Sequence, residues 1–137
     1  MAGEVRRIDG AIGYVQTNIA RSNNLSIARI QNQSGSYVKP TLVETKKALA
    51  NVKFNPDFTA ENINDPKDGY PLVSLIWLLF NKRYSNQNTL TNNNELLTWI
   101  LTKGQNFNEE LEYTKIPEDI AKQVIDTANN ELKIRPY

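Results

Sequence analysis

Leu72-Val73-Ser74-Leu75-Ile76-Trp77-Leu78-Leu79-Phe80 is the most apolar stretch of this chain, and Ser74 alone interrupts it. Apolar residues stand at both odd and even positions, which is typical of a strand buried on both faces of a sheet. The stretch is short and follows Pro71, and both features favour a strand over a buried helix. We therefore predict a central strand over residues 72–80, and we expect Asp in place of Ile76 to prevent folding.

Two helices are predicted after this stretch. The first runs from Asn92 to Lys103-Gly104, a pair that supplies a cation for the last turn and a glycine for the helix end. Trp99 lies within this helix and is expected in the core. The second helix starts at Pro117 and has apolar residues at every fourth position, which are Ile120, Val124, Ala128 and Leu132. Residues 134–137 are expected to form a tail.

Shorter elements are predicted before the apolar stretch, from turn residues, alternation of polar and apolar side chains, and a proline in the first turn of a helix. They are a strand at residues 11–15, one or two helical turns within 17–24, a hairpin with strands at 26–30 and 37–38, a helix from Pro40-Thr41 to about Asn51, and a long loop at 52–69. The chain thus mixes strands with helices, which indicates an α/β protein.

The composition excludes several classes of function. The chain has 137 residues, within the usual size of one domain. It contains neither Cys nor His, so disulfides, thiolate or imidazole metal sites and Ser-His-Asp catalysis are excluded. The 16 Lys and Arg nearly balance the 15 Asp and Glu, for a formal net charge of +1. Nucleic-acid-binding domains normally have a basic excess, so nucleic acid is not an expected partner.

Two short patterns suggest a ligand site but have a simpler structural interpretation. Ser34-Gly35-Ser36 resembles an oxyanion-binding loop, yet it is predicted to join two strands, whereas such loops open a helix. Asp65, Asp68 and Gly69 suggest a calcium loop but lack its spacing and its closing Glu. Both segments are therefore interpreted as turns.

Acidic and glycine clusters give no catalytic site either. Glu109, Glu110 and Glu112 are carboxylates that an enzyme could use, but no nucleophile accompanies them, so a solvated face explains them better. Gly10 and Gly13 alone are too few for a phosphate-binding fingerprint. We assign no catalytic residue, no metal ligand and no cofactor.

Short segments along the chain follow one another in an order shared with a known family. They are Gly10-Ala11-Ile12-Gly13-Tyr14-Val15, Ala20 with Asn23-Asn24-Leu25, Tyr37-Val38-Lys39-Pro40-Thr41, Gly69-Tyr70-Pro71-Leu72-Val73-Ser74, Trp99 with Lys103-Gly104, Leu111-Glu112-Tyr113, and Ile116-Pro117-Glu118. In this order, with similar gaps, they resemble the phosphate-binding proteins that serve ABC-type phosphate importers. The resemblance extends from about Val5 to Leu132.

The resemblance implies a type II periplasmic binding-protein fold, in which two α/β lobes joined by crossing strands close on one phosphate ion. Residues 1–137 resemble a single domain from the C-terminal portion of such a protein. The strand at 11–15 is similar to the return crossing, and the rest to the end of the first lobe, a mixed sheet flanked by helices. The family's phosphate contacts come from earlier loops, so no phosphate-binding residue is assigned. Arg6, Arg7, Arg29 and Arg83 lie in no matching motif and are interpreted as surface residues.

The function that the resemblance implies is binding, without enzyme activity. The chain would be the C-terminal part of a solute-binding protein for inorganic phosphate, working with the membrane subunits of the importer, in the periplasm or cell envelope. No signal peptide is recognised, because no apolar stretch follows Arg6-Arg7. The alternative is a stand-alone protein-interaction module without ligand binding.

The resemblance also implies that strands outside this chain complete the sheet. The chain would then expose an apolar face and an unpaired strand edge, which recruit other chains. A second copy is the simplest partner, and two-fold pairs are the commonest closed assemblies. We expect a homodimer with residues 12–15 or 72–80 near the shared surface.

Overall fold

Five α-helices, one 3-10 helix and two pairs of two-residue strands form the regular structure of residues 1–50, 52–60, 63 and 66–135, which this computed structural model describes. This mixture of helices and strands confirms the α/β class. The chain divides into two units. Unit 1 comprises residues 1–74 and 111–114, and unit 2 comprises residues 75–110 and the described residues from 115 onward.

Unit 1 contains three helices and one hairpin. Their bounds are Ala2–Arg7 for α1, Thr17–Ser22 for α2, Ile30–Gln31 for β1, Tyr37–Val38 for β2 and Leu42–Leu49 for α3. The two strands pair antiparallel, with Ile30 opposite Val38. The short helix within 17–24 and the helix after Pro40-Thr41 are confirmed, whereas α1 has no counterpart among the predictions. A hairpin is present as predicted, but its first strand begins at Ile30, and residues 26–29 form no strand.

Local hydrogen bonds explain where these helices begin and end. The Thr41 hydroxyl oxygen accepts a hydrogen bond from the Glu44 backbone N–H at 3.3 Å and so caps α3. α3 ends at Leu49, and the predicted end near Asn51 lies outside the described residues. Asn24, just beyond α2, has a φ of 53°, which asparagine tolerates better than most residues. The described residues between 52 and 69 contain no helix, which agrees with the predicted loop.

Unit 2 consists of two packed helices with a short parallel strand pair. The bounds are Arg83–Tyr84 for β3, Gln87–Leu101 for α4, Lys103–Phe107 for the 3-10 helix, Glu118–Glu131 for α5 and Lys133–Ile134 for β4. α4 begins earlier than predicted because the Asn86 side chain caps it, accepting from the Thr89 N–H at 2.8 Å. α5 begins directly after Pro117, as predicted. The predicted tail is wrong for Ile134, which pairs in β4, and Pro136 and Tyr137 lie outside the described residues.

The core of unit 2 lies between α4 and α5. Leu97 and Leu101 of α4 are buried against Ala121 of α5. A second cluster joins Leu90 at the start of α4 to Tyr84 and Leu132, and Phe80 and Ala128 pack against both clusters. Of the apolar stripe predicted for the last helix, Val124, Ala128 and Leu132 therefore do face a core, whereas Ile120 belongs to neither cluster.

The central strand predicted over residues 72–80 is wrong. These residues have no regular secondary structure, and the side chains of Ile76 and Leu79 are 68% and 97% exposed. A strand needs neighbours that complete its backbone hydrogen bonds, and the described residues form only the two short ladders and the isolated bridge between Phe54 and Ala60. Because Ile76 is exposed, an Asp at this position would place its charge in water. The reason for expecting Ile76→Asp to prevent folding is therefore removed.

Two further predictions are corrected. Residues 11–15 form no strand, and Ile12 is almost fully exposed. Trp99 is not in the core: its side chain is 48% exposed and lies beside Phe107, with 6.2 Å between ring centroids. Gly104 fits against the indole, since a Cβ there would lie 3.1 Å from Trp99 Cζ3.

Every helix in the part of the chain that the structure describes falls short of the length and apolarity needed to traverse a bilayer.

Candidate functional site

The hairpin turn of unit 1 is organised by one buried amide. Asn32 Nδ2 donates to the Gly69 carbonyl at 3.1 Å, and Asn32 Oδ1 accepts from Ser34 Oγ at 2.7 Å and from the Ser36 N–H at 3.0 Å. Gly35, with a φ of 83°, completes the turn. The interpretation of residues 34–36 as a turn is therefore confirmed, and its hydrogen-bonding groups serve the turn itself.

The loop before residue 70 is fixed between this hairpin and α3. Tyr70 N–H donates to the Glu44 carbonyl and Ser34 N–H to the Lys67 carbonyl, both at 3.1 Å. Gly69 is buried at a φ of 85° against the backbone of α3. Burial raises the pKa of Tyr70. Glycine is needed here for its conformation and its small size, which agrees with a structural role.

The described acidic residues of this loop form no metal-binding group. Asp65 lies outside the described residues, and Asp68 forms no group of three potential ligands within the described part of the chain. Hydrogen bonds from the Thr59 hydroxyl and backbone N–H lower the pKa of Asp57. That carboxylate is engaged within its own turn.

The three carboxylates at 109–112 have different surroundings. Glu112 pairs with Arg21 at 2.6 Å, and Arg21 also donates to the Pro40 carbonyl at 3.1 Å. Gln16 Nε2 donates to the Tyr113 hydroxyl at 2.6 Å, so two contacts hold residues 111–114 in unit 1. Glu109 and Glu110 are exposed. The three carboxylates do not form a catalytic group.

The arginines considered as anion ligands belong to three separate segments of the chain. Arg6 and Arg7 are exposed on α1, where Arg7 pairs with Glu4, and Arg29 is exposed before β1. Arg83 is in β3 and donates through Nη1 to the carbonyls of Lys82 and Glu131, each at 3.2 Å. Of these four, Arg83 lines a concave surface.

That surface is a groove of about 470 Å³ in unit 2, between β3, the start of α4 and the residue after β4. We call it the arginine groove, defined by six polar lining residues. They are Asn81, Arg83, Ser85, Thr89, Asn93 and Arg135. None of the described residues that line it is acidic. Among the residues that the structure describes, the groove therefore presents two positive charges without an opposing carboxylate.

Sequence reasoning missed Arg135, because it was placed in a tail. The parallel pairing of β3 with β4 brings it to the groove, where its backbone N–H donates to the Tyr84 carbonyl at 2.9 Å. Its side chain makes no hydrogen bond or ion pair with the residues that the structure describes. Only an expectation that residues 83–84 and 133–134 pair would have revealed it.

A second, shallower groove of about 390 Å³ lies beside Trp99. Asn94 lines it, and the Oδ1 atom of Asn94 is buried without a hydrogen-bond partner. Glu95 and Lys103 line the same groove, so its charges are balanced. This groove has no preference for an ion of either sign.

Sequence comparison relates nearly the whole chain to named proteins. It is 29% identical over 136 residues to the phosphate-binding protein PstS of Haemophilus influenzae, over 97% of this chain and 41% of the relative. For PstS of Methanocaldococcus jannaschii the identity is 30% over 133 residues, 86% of this chain and 34% of the relative. For PstS of Xylella fastidiosa the identity is 27% over 127 residues, which are 90% of this chain and 35% of the relative. No protein-family model matches the chain.

These relatives share one name, and the chain matches only part of the length of each. The chain spans between a third and about two fifths of the length of the curated relatives it matches. They are named as binding proteins and not as enzymes, and they lend no support to a stand-alone interaction module. By sequence, this chain is similar along 86–97% of its length to one part of the phosphate-binding protein PstS.

Proposed function

We propose that this chain is the C-terminal part of a periplasmic solute-binding protein for inorganic phosphate, the component that delivers phosphate to an ABC-type importer. The observation that carries the proposal is similarity to PstS along 86–97% of the chain in organisms as distant as Haemophilus and Methanocaldococcus. The proposed role is binding, without catalysis, and the proposed location is the periplasm or cell envelope.

In this proposal the chain supplies part of the scaffold, and the rest of the binding protein supplies the phosphate contacts. Unit 1 supplies a hairpin and a helix joined by the buried Asn32 amide and the close approach of Gly69, which form a fixed scaffold. The phosphate contacts would come from the rest of the binding protein. Closure of its lobes would surround the ion with backbone N–H and hydroxyl donors, which bind oxyanions strongly once water is excluded.

The first test is whether the chain alone binds phosphate. We expect isothermal titration with inorganic phosphate to show no saturable binding in the micromolar range. The reason is that Ser34, Ser36 and Asn32 satisfy one another within the hairpin turn, so this loop has few donors left for an ion.

The controls for that titration are sulfate and the complete PstS of Haemophilus influenzae. The complete protein should bind phosphate under the same conditions. Saturable micromolar binding of phosphate to the chain alone, without similar binding of sulfate, would show that the phosphate contacts lie within these 137 residues.

We also propose that the isolated chain forms a homodimer. Support comes from the exposed apolar side chains of residues 76–79 and from Ile12, which is 97% exposed. Apolar groups of this extent are seldom left in water, and residues 75–80 belong to neither strand pair of the described chain, which leaves their backbone available to a second copy. Sedimentation equilibrium across a wide concentration range should show a monomer–dimer equilibrium. A strict monomer at every concentration, without binding of hydrophobic dyes, contradicts the dimer.

A further inference from the structure

We propose that the arginine groove binds an organic anion, namely a carboxylate or a phosphate monoester attached to an apolar or aromatic body. The first argument is charge. Arg83 and Arg135 line the groove, and no described lining residue is acidic. Glu131, whose backbone carbonyl accepts a hydrogen bond from Arg83, has its carboxylate paired with Lys82 at 2.6 Å. An anion is the partner that complements this surface.

The second argument is the supply of hydrogen-bond donors. A guanidinium has five N–H groups in a planar fork, and the bonds of Arg83 to backbone carbonyls use only Nη1. The side chain of Arg135 has no partner among the described residues. Ser85 and Thr89 add hydroxyl groups where the fifteen-residue helix α4 begins, and the positive end of a helix favours a negative charge. Carboxylate and phosphate oxygens match such donors.

The third argument is the size and apolar wall of the groove. A volume of about 470 Å³ falls within the range of about 300–1,000 Å³ typical of sites for organic ligands. Leu79, Phe80 and Tyr84 line the same groove, and Leu79 is almost fully exposed. Inorganic phosphate has no apolar part to cover these side chains. The ligand class therefore differs from the phosphate ion of the proposed function.

The test uses the full chain with two probes, phenyl phosphate and benzoate, titrated by nuclear magnetic resonance. Shifts should concentrate on the backbone N–H groups of residues 83–93 and 135. Arg135→Gln should weaken binding by at least about tenfold, the expected effect of losing a charged hydrogen bond. It should leave the melting temperature unchanged, because the Arg135 side chain has no partner among the described residues.

The matched control is Arg29→Gln, which removes the same charge from an exposed site in unit 1. It should leave probe binding within about twofold, because Arg29 is not among the residues that line the groove and salt screens exposed charges. The probe that binds more tightly shows whether the groove favours a phosphate or a carboxylate headgroup. Equal weakening by both variants, binding of benzyl alcohol as strong as that of phenyl phosphate, or no shifts with either probe overturns the proposal. These outcomes are independent of the titration with inorganic phosphate.

Discussion

Gly69→Ala should lower the free energy of unfolding of unit 1 by about 2–5 kcal/mol, as the sum of two costs. A left-handed backbone conformation costs a residue with a Cβ about 1–2 kcal/mol, and Gly69 has a φ of 85°. Overpacking of a filled site typically costs about 1–3 kcal/mol more. A Cβ at this position would overlap the Glu44 carbonyl oxygen and the Ala48 nitrogen of α3, and would lie 2.9 Å from the Ala48 Cα.

Gly10→Ala is the matched control for this prediction. Gly10 has a similar φ of 76°, but no atom lies within 4 Å of its added Cβ, so only the conformational cost of about 1–2 kcal/mol should remain. Urea denaturation followed by circular dichroism compares the two variants. Equal losses would mean that the close approach of Gly69 to α3 contributes nothing to stability.

Leu97→Ala should destabilise unit 2 by about 2–5 kcal/mol, the usual effect of emptying a packed core site. Leu97 is 7% exposed and lies in the cluster that joins α4 to α5. Both tryptophans of the chain, Trp77 and Trp99, belong to unit 2. Denaturant unfolding followed by tryptophan fluorescence therefore reports on the unit that carries the substitution.

Leu96→Ala is the control on the same helix. Leu96 is 51% exposed, so its truncation removes little buried surface and should cost less than about 1 kcal/mol. Both variants replace Leu with Ala on the same helix, so helix propensity changes equally in the two. The difference between their free energies of unfolding therefore measures the contribution of core packing. A loss for Leu96→Ala as large as that for Leu97→Ala would show that α4 does not pack through the face assigned here.

Local signals in the sequence predicted most of the helices and the hairpin. Thr41, the Asn23-Asn24 pair and Pro117 mark helix ends through bonds and conformations that involve only neighbouring residues. The turn at 33–36 is likewise local. These features could be read from the sequence because their physical cause lies within a few residues.

The failure at residues 72–80 has a different cause. Apolar side chains such as Ile76 show that a segment is suited to burial, but they do not show what covers it. A buried strand depends on partner strands and helices, and the described residues provide only two-residue ladders. Periodicity could therefore not establish the environment of this segment.

The candidate site was beyond sequence reasoning for a related reason. Arg83 and Arg135 are far apart along the chain, and no local motif connects them. Asn32 presents the same difficulty, because its partner Gly69 belongs to a distant loop. Contacts of this kind depend on the register of strands and loops.

The parallel pairing of β3 with β4 has a consequence for the order of folding. Arg83 comes before both core helices of unit 2 and Lys133 follows them, so their pairing closes a loop that contains both helices. Closing a long loop costs chain entropy before the contact contributes stability. During synthesis, α4 would leave the ribosome well before α5 and β4, with Leu97 and Leu101 still uncovered. A chaperone that binds apolar surface would therefore find Leu97 and Leu101 accessible at this stage of synthesis.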